Sequence, residues 1–107
     1  MIHKRIQTVL ITGGSSDLGE EFCRQLAQFE ITLIVVARDE KQVYNLQRRI
    51  GPTCASIEPV LADLSTVAGI ARVQDIIRQR SPVDLLINNA GLAGNKFDDG
   101  NMKVDDV

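Results

Sequence analysis

The eight residues Thr12-Gly13-Gly14-Ser15-Ser16-Asp17-Leu18-Gly19 follow the apolar run Thr8-Val9-Leu10-Ile11 and open a segment of helical periodicity. A buried strand, a tight glycine turn and a helix N-terminus in that order make a phosphate cradle. Free N–H groups and the positive end of the helix dipole converge on one spot, where an anion can sit. An acidic side chain, Asp17, stands where such a loop usually has glycine.

The rest of the chain alternates short apolar runs with helical patterns. Ile6 to Ile11 reads as a first strand. Leu18, Phe22, Leu26 and Phe29, with Cys23 and Ala27 beside them, read as one face of a helix. Ile31 to Ala37 is a nearly continuous apolar run, as expected of a strand covered on both faces of its sheet. Val43, Leu46 and Ile50 mark a second helix, stopped by Gly51-Pro52, and Ala55 to Leu61 a third strand. Ser65 is the expected N-cap of a third helix with Val67, Ile70, Val73 and Ile77 on one face. Ser81-Pro82 ends that helix, and Val83 to Ile87 forms a fourth strand. The order β-α-β-α-β-α-β predicts a doubly wound α/β fold with a parallel sheet, right-handed crossovers and helices on both faces. Pro59 lies within the third strand, and proline is confined to sheet edges and bulges. The strand order 3-2-1-4 puts that strand at an edge. Residues 1–91 read as one Rossmann-type half-domain and residues 92–107, polar and glycine-rich, as a loop or tail.

Bulk properties narrow the function. The 107 residues carry a net charge of −2 with acids and bases interleaved, against the basic stripe of a nucleic-acid surface. No apolar run approaches the roughly 20 residues of a bilayer span, and Met1 to Arg5 leads into the first strand without a signal-peptide core. Cys23 and Cys54 have no metal-type spacing and are expected to be reduced thiols of a cytoplasmic protein, one of them on a buried helix face. No metal site is expected.

Two glycine-loop readings compete. Gly14 and Gly19 have the spacing of a P-loop, but Glu20 and Glu21 occupy the places of its Lys and Ser/Thr, and two carboxylates repel the phosphates. The second reading is a dinucleotide site. Thr12-Gly13-x-x-x-Asp17-Leu18-Gly19 resembles the Thr-Gly-x-x-x-Gly-x-Gly fingerprint of the short-chain dehydrogenase/reductase family. Val36-Ala37-Arg38-Asp39, Asp63-Leu64 and Asn88-Asn89-Ala90-Gly91 follow strands two, three and four in the order that family shows. The resemblance implies that Gly13 makes the turn and that Gly14, Ser15 and Ser16 meet the phosphates. By the same resemblance Gly19 allows close packing of the helix. It implies that Asp63 accepts from the adenine amino group with the Leu64 backbone beside it, and that Asn89, Ala90 and Gly91 line the adenosine ribose. Asn88 is expected to tie strand four to neighbouring backbone.

Cofactor preference is read at Arg38. The residue after strand two meets the adenosine ribose, where an acid selects NAD. Ala37 and then Arg38 stand there, and a guanidinium can hold a 2′-phosphate bidentately, so NADP is expected ahead of NAD. Asp39 is expected to cap the second helix instead. Asp17 is expected to face away from the phosphates, at the helix N-terminus where an acid is favourable. Turned toward them it would cost about 1–2 kcal/mol.

The family's chemistry resembles hydride transfer assisted by a tyrosine with a lysine four residues on, a serine and a later asparagine. No catalytic residue is identified. Tyr44, the single tyrosine, precedes strand three and is followed four residues on by Arg48. His3 reads as a solvated terminal residue. Family members run to more than twice this length, so the chain is expected to hold the cofactor-binding part of an oxidoreductase and to be inactive alone. The alternative is a non-catalytic nucleotide-binding or interaction module. A signalling receiver is disfavoured, because strand one ends in Ile11-Thr12-Gly13 without clustered acids. The fourth strand leaves an exposed edge that invites self-association.

Overall fold

The computed structural model of the chain describes residues 5–13, 17–80 and 82–89. They form β1 (Thr8–Thr12), α1 (Asp17–Leu26), β2 (Thr32–Ala37), α2 (Glu40–Ile50), β3 (Ser56–Leu61), α3 (Val67–Gln79) and β4 (Leu85–Asn88). The strands make one parallel sheet in the order β3-β2-β1-β4, with Thr8 opposite Thr32, Thr32 opposite Ser56 and Val9 opposite Leu85. Pro59 lies in the edge strand β3, where its missing N–H costs no second ladder.

Alternation along the strands feeds two cores. Val9, Ile11, Leu33 and Val35 pack with Cys23, Ala27 and Leu46 beneath α1 and α2. Leu10, Ile34 and Val36 pack with Val60, Ala62 and Val73 beneath α3. Both sheet faces are covered, which is why β1 and β2 read as continuous apolar runs.

Several predicted boundaries shift. Ile6 is exposed and β1 begins at Thr8. β4 begins at Leu85 rather than Val83, because Asp84 takes over the pairing before it. One of its carboxylate oxygens accepts from the N–H groups of Gln7 and Thr8 at 2.8 and 2.9 Å, and its own N–H donates to the Thr8 carbonyl. The cap of α3 is Thr66, not Ser65. Its hydroxyl accepts from the Gly69 N–H at 2.9 Å. The expected apolar face of α3 is only partly buried. Val67 is 85% exposed and Ile70 is exposed, while Gly69 and Val73 face the sheet.

The face of α1 is also corrected. Its buried side is Gly19 and Cys23, continued by Ala27, and Leu18, Phe22 and Phe29 are exposed. Small residues face the sheet because the helix starts so close to it. On the flank toward α2, Glu20 pairs with both Arg24 and Arg49, at 2.7 Å each. Leu18 and Phe22 fall on the opposite flank of the helical wheel. The α2 cap is Asp39, as expected, with its carboxylate accepting from the Gln42 N–H at 3.0 Å. Gly51 ends α2 at φ 79°.

On edge strand β3, Glu58 forms a two-point ion pair with Arg80, the C-cap of α3. Hydrogen bonding from Arg80 holds the Glu58 carboxyl below the usual carboxylate range. A depressed folded-state value stabilises the fold above the unfolded carboxylate pKa and loses that contribution as pH falls through the folded value. Stability measured between pH 7 and pH 3 is therefore expected to fall less steeply in Glu58→Gln than in the parent. The effect is small because both side chains are partly exposed. Parallel curves for the two proteins would sink this assignment.

Candidate functional site

All strands run the same way, so residues that follow them in sequence gather along one edge of the sheet. Gly13, Arg38, Asp63 and Asn89 lie beyond the C-terminal ends of β1, β2, β3 and β4. Helices α1 and α2 pack on one face and α3 on the other. The direction of winding therefore reverses between β1 and β4. In open α/β sheets the crevice at such a reversal is where ligands bind.

The crevice is built around the first turn. Gly13 has φ 69°, a left-handed conformation that suits glycine. Gly19, in the first turn of α1, lies directly over it. A Cβ on Gly19 would stand 2.0 Å from the Gly13 carbonyl oxygen and 2.9 Å from the Asn89 side-chain nitrogen. The space that an ordinary residue would fill is used to bring the start of α1 against the turn. A polar chain links the turn to β4. The Asn89 side-chain amide donates to the Gly13 carbonyl at 3.0 Å, and the Asn89 N–H donates to the Thr12 hydroxyl, also at 3.0 Å. That hydroxyl donates in turn to the Asn88 side-chain carbonyl at 3.0 Å. Thr12 and Asn89 are each 4% exposed, and no buried side-chain polar atom among the described residues lacks a partner.

These bonds redistribute the expected roles. The Asn89 side chain is engaged with the turn, through its bond to the Gly13 carbonyl. Asn88 does tie β4 to β1, but through the Thr12 hydroxyl rather than through backbone. Asp17 is the first residue of α1 and is exposed, with Leu18 beside it, also exposed. An acid in the first turn suits the helix dipole. Gly14, Ser15, Ser16, Ala90 and Gly91 lie outside the described residues.

Arg38 and Asp63 occupy the other half of the edge. The Ala62 N–H donates to the Ala37 carbonyl at 2.9 Å, so Arg38 and Asp63 leave adjacent strands at the same level. Arg38 is exposed, and its N–H donates to the Gln42 side chain at 3.1 Å. Asp63 is exposed, and one of its oxygens accepts from both the Ser65 hydroxyl and the Ser65 N–H. Those bonds, with a smaller contribution from the Arg38 charge, hold the Asp63 carboxyl below its usual range. The Asp63 carbonyl accepts from the N–H and hydroxyl of Thr66. Gly69 is pressed against the same peptide, where a Cβ would lie 1.8 Å from the Asp63 carbonyl oxygen. Half-buried Leu64 packs against the core beneath α3.

Sequence reasoning missed Thr66, Gly69 and Asp84. A glycine inside an otherwise helical pattern was the available signal for Gly69, since it costs about 1 kcal/mol relative to alanine unless close packing requires it. Other candidates lie elsewhere. Tyr44 is exposed on α2, with the Arg48 guanidinium 5.8 Å from its ring centre. Burial first, and the Glu20 charge second, push the Cys23 thiol up to about 11, whereas Cys54 is exposed; neither is in a disulfide. Cys54 borders an open groove of about 450 Å³ with Ala27, Ile50 and Pro52, between the C-terminal ends of α1 and α2. No cluster of potential metal ligands occurs among the described residues, and no helix among them is long and apolar enough to cross a membrane.

The family model described as short chain dehydrogenase matches residues 7–106. Short-chain dehydrogenase/reductase 1 of Saponaria officinalis is 32% identical over 89 residues, covering 79% of this chain and 30% of the relative. Among solved structures, the bulky-bulky ketone specific alcohol dehydrogenase of Comamonas testosteroni superposes with a TM-score of 0.72 at 34% identity. That match covers 82% of this chain and 37% of the other. A short-chain dehydrogenase of Sphingobium yanoikuyae in complex with NADPH matches with a TM-score of 0.67 at 32% identity, covering 75% of this chain and 32% of the other. The chain thus spans about a third of the length of these relatives.

Proposed function

The chain belongs to the short-chain dehydrogenase/reductase family, and from that membership we propose that residues 1–91 are the NADP(H)-binding half of an oxidoreductase acting on a carbonyl or alcohol substrate. Residues 92–107 lead, on this reading, into the catalytic half. When bound, the nicotinamide supplies or takes the hydride. The residues here grip the other end of the cofactor. The backbone from Gly13 through Gly19 meets the phosphates, Asp63 and Leu64 meet the adenine, and the backbone of Asn89 with Ala90 and Gly91 meets the ribose. The fit of a phosphate rests on the close Gly13–Gly19 approach, which a Cβ on Gly19 would prevent. The interaction-module alternative is not favoured, because the relatives are dehydrogenases and reductases.

One observation carries the choice of NADP(H) over NAD(H). The acid nearest the ribose position, Asp39, is engaged as the cap of α2, which leaves the exposed Arg38 as the charge at the end of β2. The Sphingobium relative's complex with NADPH agrees with this choice. Titration with NADPH and NADH tests it. Arg38→Ala is expected to weaken NADPH by about 10- to 100-fold, the loss of a charge-assisted bidentate contact, and to leave NADH unchanged. Equal affinity for the two cofactors, untouched by the substitution, overturns the assignment.

The same reading makes the protein cytoplasmic, supported by two thiols outside any disulfide. For the 107-residue chain by itself, without a catalytic half, we infer self-association through β4, which pairs only with β1 among the described residues and leaves Leu86 53% exposed. Sedimentation that shows a monomer at every concentration would remove that last assignment.

A further inference from the structure

β3 pairs only with β2 among the described residues, so one side of it is an edge of the sheet. Backbone N–H and C=O groups along a strand turn alternately to its two sides. The N–H groups of Ser56 and Ala62 donate to the carbonyls of Ile31 and Ala37, toward β2. The even-numbered residues of β3 therefore serve that ladder, and Ile57, Pro59 and Leu61 turn their backbone groups outward. Such an outward row is a template for a further strand, and in a solution of this protein the strand at hand is that of a second copy.

Three features oppose that pairing. Pro59, in the middle of the outward row, has no N–H to give. The Leu61 carbonyl is already engaged. Arg72 projects from α3, and its Nε donates to that oxygen at 2.8 Å. Its guanidinium stands where the N–H of an added strand would have to come. Glu58 and its partner Arg80 are each 38% exposed at the side chain, and a strand laid beside them would strip water from both charges. The opposite edge has no such devices. β4 reads Leu85-Leu86-Ile87-Asn88, without proline or charge.

We propose that Pro59 and Arg72 act together to close the outer edge of β3 to a second copy of this chain. The missing donor and the occupied acceptor lie two residues apart on one outward row, so a strand shifted to avoid one meets the other. This closure requires neither a bound cofactor nor association through β4.

Sedimentation of the 107-residue chain over a concentration series tests it. Whatever association β4 supports is common to parent and variants, so the difference between them reports on β3. Pro59→Val combined with Arg72→Ala restores the donor and frees the acceptor. The double variant is expected to form assemblies larger than the parent's at concentrations at least about tenfold lower, the effect of two added hydrogen bonds. Arg72→Ala alone is expected to give about a threefold shift. It carries the test if the Pro59 change does not fold, since position 72 is exposed and alanine suits a helix. Arg78→Ala removes the same charge from an exposed site on the same helix and is expected to leave association at the parent's level. Equal association of parent and double variant overturns the proposal. So does an equal rise in Arg78→Ala, which traces the effect to net charge, or a rise seen only where the urea midpoint has fallen, which traces it to unfolding.

Discussion

Gly19→Ala is expected to destabilise the fold by more than about 3 kcal/mol, read as a collapse of the urea midpoint or as failure to fold. The sign is what makes the experiment informative. In an unconstrained helix, alanine is better than glycine by about 0.8–1 kcal/mol, so a Gly19 without close contacts would give a stabilised variant. Here the added Cβ would stand 2.0 Å from the Gly13 oxygen and 2.8 Å from its carbonyl carbon, distances that no rotamer change relieves because the obstacle is backbone. Relief requires α1 to move away from the turn. Cys23 and Ala27, which follow Gly19 on the sheet-facing side, are buried in the core and resist that movement. The third contact, with the Asn89 amide, means that the same substitution strains the bond closing the turn onto β4. A variant as stable as the parent would show that the close approach is not required.

Gly69→Ala is expected to cost a similar amount, more than about 3 kcal/mol, at the opposite face of the sheet. The added Cβ would lie 1.8 Å from the Asp63 oxygen and 2.5 Å from its carbonyl carbon. The Gly69 N–H is also the donor to the Thr66 hydroxyl that caps α3. Moving the helix outward to relieve the overlap therefore breaks its cap and uncovers Val73 beneath it. Ala71→Gly, at an exposed position two residues further along the same helix, serves as the control and is expected to cost only about 1 kcal/mol from propensity. Equal effects of the two changes in a denaturation series would mean that propensity, not the Asp63 contact, governs the position.

These two glycines mark how far the sequence could be read. Gly19 belongs to a spaced pattern with Thr12 and Gly13, and its role follows once that pattern is seen. Gly69 belongs to none, and its need arises only when α3 and the segment after β3 meet in space. The same division runs through the molecule. Alternating apolar runs and the position of Pro59 were enough for a parallel sheet with β3 at its edge, because burial on two faces and a missing N–H act locally. The Asp39 cap was legible for the same reason. The orientation of α1 was not. Leu18 and Phe22 carry as strong an apolar signal as Cys23 and Ala27, and the choice of buried side depends on how closely Gly19 lets the helix approach. Ser65 and Thr66 are both good caps by composition, and only the prior engagement of Ser65 with Asp63 separates them. Asp84 reads as an ordinary polar residue before a strand, since Gln7 and Thr8, whose N–H groups donate to it, lie at the other end of the chain.

The bonds from Thr12 and Gly13 to Asn88 and Asn89 span 76 or 77 residues, nearly the whole of the described chain. Contacts so distant in sequence close the largest loop available, and their entropic cost is met before any of their enthalpy is gained. The crevice at the sheet edge is therefore complete only once β4 is in place. The turn after β1 precedes β4 in the chain, and its hydrogen bonds to Asn88 and Asn89 form only when β4 docks beside β1. A nascent chain that has emerged only as far as α3 lacks a finished crevice, whatever its helices have achieved. Any ligand that favours the finished crevice then acts as a thermodynamic clasp on this last step, drawing the folding equilibrium toward the docked strand as its free concentration rises.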